Sequence, residues 1–319
     1  MLTSPHLEIT PLARGRKHRL ALTVGTAPDL IELPVIVLRG ARDGKTLVVT
    51  AGVHGDEYEG VRTIFDIVDE VDPAAMSGDL LCVPVANPPS FWAGTRSSPL
   101  DGKNLARVFP GAEEGTISEQ IAYSLGREVI AKADLYLDLH SAGVKIEMPT
   151  LIGYDSEDPR GRPAALAFGA PILWGSPYDA PGRTVSLAKE RNIPALYAEA
   201  RGAGRIDASD LAVYRRGVLN LMRYLGMLAG DPEVQPIEWD LEGGGDIDGS
   251  IAGSSRGFLI PKVRLLDRVR GGDELGTIVD LHGQPLEKLV ADRDGVVVLI
   301  HAFPVVEPGE PLFFVTGER

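Results

Sequence analysis

The chain is predicted to fold as an α/β protein: a central mixed sheet flanked by helices, followed by a small all-β C-terminal domain. Three observations lead there. Up to about residue 230, apolar strand-like runs alternate with segments of helical periodicity, the pattern of a sheet covered on both faces. Beyond residue 230 the helical periodicity vanishes. One strand-like run leads into a turn that carries His54 and another ends in His140, and ligands in open α/β sheets gather at the carboxyl ends of strands.

The elements follow in order. Residues 18–50 read as two or three strands, with Asp43-Gly44 as a hairpin turn. Residues 58–72 carry Val61, Ile64, Phe65 and Val68 at the spacing of an amphipathic helix that ends before Pro73. Residues 80–86 form a buried strand. The stretch 88–114, rich in Pro, Gly and Arg, reads as a long loop, and loops of that length are usually functional. A helix over 118–132, capped by Ser118, places Ile121, Leu125 and Val129 on one face. Strands near 134–140, 149–154, 171–174 and 195–199 alternate with helices, the clearest at 210–229. Asp231-Pro232 and the Glu242–Asp246 run mark a linker, so the division is a catalytic domain over 1–235 and a β-rich domain over 236–319. Within the tail, Gly272–Ile278 returns as Gly309–Val315, which predicts two related halves in a small barrel or sandwich resembling the biotinyl/lipoyl hairpin fold. Lys288 is the only lysine between the halves and lacks a carrier motif, so the tail reads as structural.

The run Ala51-Gly52-Val53-His54-Gly55-Asp56-Glu57 carries the first chemistry. At a strand-to-helix turn, a His and a Glu three apart can aim at one point, and zinc accepts imidazole nitrogen and carboxylate oxygen. Gly52 and Gly55 fit a tight turn with the backbone close to a ligand. By itself the pair is equally a helix start with an acidic first turn. His140, at the end of Asp134–His140, adds a third donor from a second strand end. Three protein donors leave a zinc position open for water, the catalytic arrangement. The remaining histidines, at 6, 18, 282 and 301, read as structural or surface groups.

Composition narrows the class. The length suffices for one large and one small domain, and 44% of the residues are hydrophobic. No apolar run reaches the ~18–20 residues of a membrane span, and the amino terminus lacks a signal-peptide pattern, so a cytoplasmic location is expected. The single cysteine, Cys82, sits in an apolar run and reads as a buried small hydrophobe. It excludes an intramolecular disulfide. A net charge of −13 argues against nucleic-acid binding, and an anionic substrate would need local arginines.

His54-Gly-Asp-Glu57, Asn87-Pro88-Pro89, Ala93-Gly94-Thr95-Arg96, Pro99-Leu-Asp101 through Gly111, Asp138-Leu-His140 and Ala198-Glu199-Ala-Arg-Gly202 occur in a familiar order. Over about residues 20–230 the chain resembles the succinylglutamate desuccinylase/aspartoacylase family of the zinc carboxypeptidase clan, nearest its bacterial N-acetyl-diaminobutyrate deacetylase-like branch. The resemblance implies a zinc-carboxypeptidase-like sheet with a barrel-sandwich-like tail. It implies one zinc ion per chain on His54, Glu57 and His140. It makes Glu199 the base that activates water, Arg96 the group that polarises the scissile carbonyl, and Arg107 the grip on the substrate carboxylate. Two positions depart from the family pattern. Ala106 stands where the family has Asn, and Ala200-Arg201-Gly202 is bulkier than the usual glycine-rich run. Arg201 or Arg205 is then expected to supply the missing carboxylate contact.

The chemistry agrees with those roles. Amide hydrolysis needs an activated water and a stabilised oxyanion. A carboxylate beside a metal can shuttle the proton, and an arginine stays cationic at every working pH. The expected function is zinc-dependent removal of an acyl group from a small N-acyl amino acid or diamino acid; the sequence leaves the oligomeric state open, a homo-oligomer, as a dimer, being only a prior from the frequency of twofold assemblies. Carboxypeptidase-like cleavage of peptides uses the same machinery and stays open, though the tail would narrow the cleft. A binding protein on the same fold is the third reading.

Overall fold

The computed structural model describes residues 2–26, 30–244 and 247–319. A short edge strand comes first, β1 (Leu2–Ser4), paired in parallel with the longer β2 (Arg16–Val24). β3 (Ile31–Arg39) pairs antiparallel with β2, and β4 (Arg42–Ala51) leads into α1 (Glu59–Glu70) and β5 (Ser77–Val83). Asp43-Gly44 makes no hairpin, because β5 lies between β3 and β4 in the sheet. Gly44 has a different reason to be glycine. A Cβ there would lie 2.7 Å from the backbone nitrogen of Gly78 as the irregular start of β4 passes β5.

The next segment departs from a plain loop. α2 (Pro88–Ala93) occupies its first residues, with Asn87 at the N-cap, and α3 (Ile117–Ser124) follows. Thr116, not Ser118, begins α3: the Glu119 carboxylate accepts from the Thr116 N–H at 2.8 Å, while Ser118 is buried against Asp101. The predicted helix continues beyond α3 only as a wider turn over Leu125–Val129 and a tighter one over Ile130–Lys132. β6 (Leu135–Ser141), β7 (Ile146–Glu147), β8 (Leu151–Asp155), α4 (Gly161–Phe168), β9 (Ile172–Ser176), α5 (Thr184–Glu190), β10 (Ala195–Ala200) and α6 (Ala208–Tyr224) complete the first part.

Alternation along the central strands explains the layering. Leu47, Val49 and Ala51 of β4 and Leu135, Leu137 and Leu139 of β6 pack with α1, α4 and α6. Val48 of β4 and Tyr136 of β6 point the other way, towards α3 and α5. On α1, Val61, Ile64, Ile67 and Val68 are buried, but Phe65 is 46% exposed. One residue past Ile64 turns it about 100° from the centre of the apolar stripe. Cys82 is buried as expected, and burial pushes its thiol up to about 12.

The tail continues the sheet. β11 (Trp239–Glu242) adds in parallel to β9, and β12 (Ile251–Ala252), β13 (Gly257–Pro261), β14 (Arg268–Val269), β15 (Glu274–Val279) and β16 (Pro285–Val290) follow. β17 (Gly295–His301), β18 (Val305–Val306) and β19 (Pro311–Glu318) end the chain. One sheet runs β1-β2-β3-β5-β4-β6-β10-β8-β9-β11-β19-β17-β14, and a second, antiparallel, runs β16-β15-β13-β18. The internal echo falls on β15 and β19, one in each sheet, where Leu275 and Ile278 meet Leu312 and Val315 in one core. Of the glycine-rich run, Gly245 and Asp246 lie outside the described residues. No helix among the described residues is long and apolar enough to cross a membrane.

Candidate metal centre and substrate cavity

Parallel pairing assembles the site. β4 lies beside β6 with Ala51 opposite Leu139, and β6 lies beside β10 with His140 opposite Glu199. All three strands therefore open at one sheet edge. The chain leaves β4 through Gly52, whose φ of 61° suits glycine. At Gly55 a Cβ would lie 2.0 Å from the Ser90 backbone, so the close approach is to α2 and not to a ligand. This tight turn brings His54 and Glu57 back over the ends of β4 and β6.

There three donors converge. One ligand atom each from His54, Glu57 and His140 lies within 4.8 Å of the others. His54 Nδ1 is 2.6 Å from Glu57 Oε1, and His140 Nδ1 is 2.9 Å from Glu57 Oε2. The far ring nitrogens are held as well. Nε2 of His54 donates to Asn104 Oδ1 at 3.1 Å, and Nε2 of His140 donates to Asp138 Oδ2 at 2.9 Å. Asp138 also accepts from the hydroxyls of Thr50 and Thr184. Such outer partners fix the tautomer, so each Nδ1 can direct its lone pair to the shared point.

The charges agree with a cation site. Burial opposes charge on Glu57, but His54 and His140 outweigh it and hold the carboxyl well below the usual range. Burial likewise opposes charge on His140, yet Asp138 and Glu57 raise its pKa well above the histidine norm. At His54 burial prevails and its pKa falls. The imidazole–carboxylate pairs need positive charge between them, from a proton or from a metal ion. Two imidazoles and a carboxylate form a donor set that zinc accepts.

Beside them lies a cavity of about 150 Å³ that His54, Arg96, Arg107, His140 and Glu199 all line. Glu199 Oε2 is shut off from solvent and has no hydrogen-bond partner among the described residues. Burial, opposed by His140 and reinforced by Glu57, pushes this carboxyl up to about 8. An unpartnered carboxylate oxygen beside the three donors is a second sign that the site fits a cation with its water. Arg96 Nη1 lies 3.3 Å from Glu57 Oε1. Arg107 is at the cavity wall, and its Nε and Nη2 both donate to Asp248 at 2.9 Å.

Arg201 is placed elsewhere. It does not line the cavity; its Nη1 is 3.5 Å from Glu147 and its Nε 3.8 Å from Asp207, and Arg205 also faces Glu147. The cause is the exit from β10: Gly202 bridges to Glu147, and the Arg201 carbonyl accepts from Met148 N–H, which turns the chain out of the sheet edge. Arg183, unremarked in the sequence, lines the cavity instead. Asn104 and Asp138 were also missed as partners of the histidines. Asp138 was legible in principle, since a residue two before His140 on a strand shares its face. Arg183 and Asn104 sit in irregular or helix-start segments that carry no such signal.

Residues 43–225 match the succinylglutamate desuccinylase/aspartoacylase catalytic domain, and the chain belongs to that family. Among curated relatives it is 30% identical over 278 residues to the N-alpha-acetyl-L-2,4-diaminobutyric acid deacetylase of Halomonas elongata, covering 84% of this chain and 80% of that one. The product-bound ectoine utilization protein EutE (DoeB) of Ruegeria pomeroyi superposes with a TM-score of 0.88 at 27% identity, over 98% of this chain and 99% of that one. A succinylglutamate desuccinylase/aspartoacylase structure from Rhodobacter sphaeroides gives 0.85 at 27% identity, over 97% and 98%.

Proposed function

We infer that the protein is a zinc-dependent amidohydrolase that removes the acyl group from a small N-acyl amino acid or N-acyl diamino acid. The observation that carries this is the convergence of His54, Glu57 and His140 beside an unpartnered, buried Glu199 oxygen in a cavity lined by arginines. Family membership and the deacetylase relative support the same reaction. In this reading His54, Glu57 and His140 hold the metal, which supplies the Lewis-acid chemistry that lets water attack an amide at neutral pH. Glu199 takes the proton of the attacking water and delivers it to the departing nitrogen as the C–N bond breaks. Its raised pKa suits a group that must both accept and release a proton, and a cation beside it would draw that pKa down. Arg96 donates to the carbonyl oxygen as negative charge grows there, and Arg107 orients the substrate through its carboxylate. Residues 1–235 make up the catalytic part and 236–319 the part that closes over it. The small, partly apolar cavity favours a compact substrate, and a cytoplasmic protein completes the reading.

The test is release of free amine from N-acetyl, N-succinyl and N-formyl amino acids and from N-acetyl-diaminobutyrate, by zinc-loaded and chelated protein. Release that chelation abolishes and zinc restores is expected. In the Glu199→Gln variant turnover should fall at least ~10³-fold with bound zinc unchanged. Full activity in that variant removes Glu199 from the mechanism.

A further inference from the structure

A buried polar cluster lies behind His140. The Asp138 carboxylate is closed off from solvent, and three donors meet it. Thr50 Oγ–H reaches Oδ1 at 2.7 Å, while His140 Nε2–H and the Thr184 hydroxyl both reach Oδ2. Thr50 Oγ in turn accepts from the Tyr136 hydroxyl at 2.6 Å. Sheet register accounts for three members of the cluster. Asp138 lies directly opposite Thr50 where β6 pairs with β4, and Tyr136 shares the face of Asp138 from two residues before it. Thr184 comes from outside the sheet, as the first residue of α5, and of Thr50, Tyr136, Asp138 and Thr184 it alone lines the substrate cavity.

The segment that carries Thr184 is tied into the cavity wall. Phe109 N–H donates to the Gly182 carbonyl at 3.1 Å, and Ser186 Oγ–H donates to the Ala180 carbonyl at 2.7 Å. Arg183 and Val185, on either side of Thr184, line the cavity with it. The hydroxyl falls on Oδ2, the oxygen that His140 uses. Without it, Thr50 would hold the carboxylate through the other oxygen only, and the plane in which Oδ2 meets the imidazole would be free to turn. A buried carboxylate short of a donor is also costly. His140 presents Nδ1 to the shared point only while its far nitrogen is held in place.

We propose that Thr184 is a positioning residue for the metal centre: acting through Asp138, its hydroxyl sets the ring orientation of His140. The proposal rests on the reading of His54, Glu57 and His140 as metal ligands and extends it to a residue that does not itself hold the ion.

The experiment compares two variants of the full chain. Thr184→Val keeps the branched shape and removes the hydroxyl, and Thr184→Ser keeps the hydroxyl. Zinc affinity is read by competition with a chromogenic chelator, and the visible spectrum of cobalt(II)-loaded protein reports the ligand geometry. In the Val variant zinc affinity should fall about tenfold, the lower end for loss of an outer partner, with shifted cobalt bands. Both readouts should return to the parent values in the Ser variant. Thr184→Ala, which also lacks the hydroxyl, supplies the same comparison should the Val variant not fold. A plain structural tie would lower the melting temperature of the metal-free protein and leave affinity and spectrum alone, and that result overturns the proposal. Tighter zinc binding in the Val variant overturns it too, since the hydroxyl would then only temper Asp138. Equal loss in the Ser variant does the same and assigns the effect to packing of the methyl group. Parent protein that binds neither zinc nor cobalt sinks the metal-site reading and this inference with it, whereas zinc binding without amine release by the parent sinks the deacylase reading alone.

Discussion

The carboxyl ends of β4, β6 and β10 and the β-layer of the tail hold their charges in opposite ways. At the strand ends, His54 and Glu57 have side chains only 4% and 3% exposed, and each polar contact depends on the next, from Asp138 through His140 to Glu57. In the tail several ion pairs lie at the surface, although His301 is buried beside Glu310. Arg268 and Glu318 pair at 2.6 Å with side chains 66% and 36% exposed, and Lys288 reaches Glu274 at 3.1 Å, while Leu275, Ile278, Leu312 and Phe313 fill the interior. A buried network costs desolvation and is sensitive to the loss of any member, whereas exposed pairs contribute little. The first region is organised around its chemistry and the second around apolar packing.

Substitutions should separate the two. The largest effect after the loss of Glu199 is expected from Arg96→Ala, which should lower kcat about 10²–10³-fold as one oxyanion donor is removed. Steady-state kinetics with the best substrate of the panel checks this, and an unchanged kcat with a raised KM would recast Arg96 as a binding group. Next comes Asp138→Asn, which disturbs the orientation of His140 without touching the donor set. Zinc affinity should fall about 10–100-fold, read by competition with a chelator. In the tail, Leu275→Ala should lower stability by about 2–5 kcal/mol through the cavity it leaves, with the zinc content of the folded protein unaltered. Loss of zinc in that variant would show that the two regions are coupled more closely than their packing implies.

The smallest effect is electrostatic. Hydrogen bonds from Lys262, Thr277 and Lys288 lower the Glu274 carboxyl to about 2, against an ordinary value of 4.5. A folded-state pKa depressed in this way contributes stability that is present above pH 4.5 and is lost as pH falls towards 2. Glu274→Gln should therefore melt slightly below the parent at pH 7, and the gap should close on acidification through that window. A gap that is constant with pH would mean the carboxylate is not held by those partners.

Much of this was legible beforehand. Each central strand announced itself as an apolar run, because a strand buried on both faces admits little else. His54 and His140 follow such runs, and strand ends are where ligands collect. Errors arose where a local signal had a non-local cause. Asp43-Gly44 looked like a hairpin, but Gly44 makes room for Gly78. Phe65 matched a helical spacing yet lies off the buried stripe of α1. Arg201 was close to Glu199 in the chain and not in the cavity.

Local pattern and residue chemistry by themselves determined the α/β class, the β character of the tail and the donors His54, Glu57 and His140, since burial periodicity and ligand type are written residue by residue. Strand order and chain direction decided the rest. Only the parallel register of β4, β6 and β10 could set His140 opposite Glu199, and only the return of the tail along β11 and β19 could bring Asp248 to Arg107, 141 residues earlier in the chain. Contacts across such separations follow from how sheets pair and pack, and no local window of residues contains them.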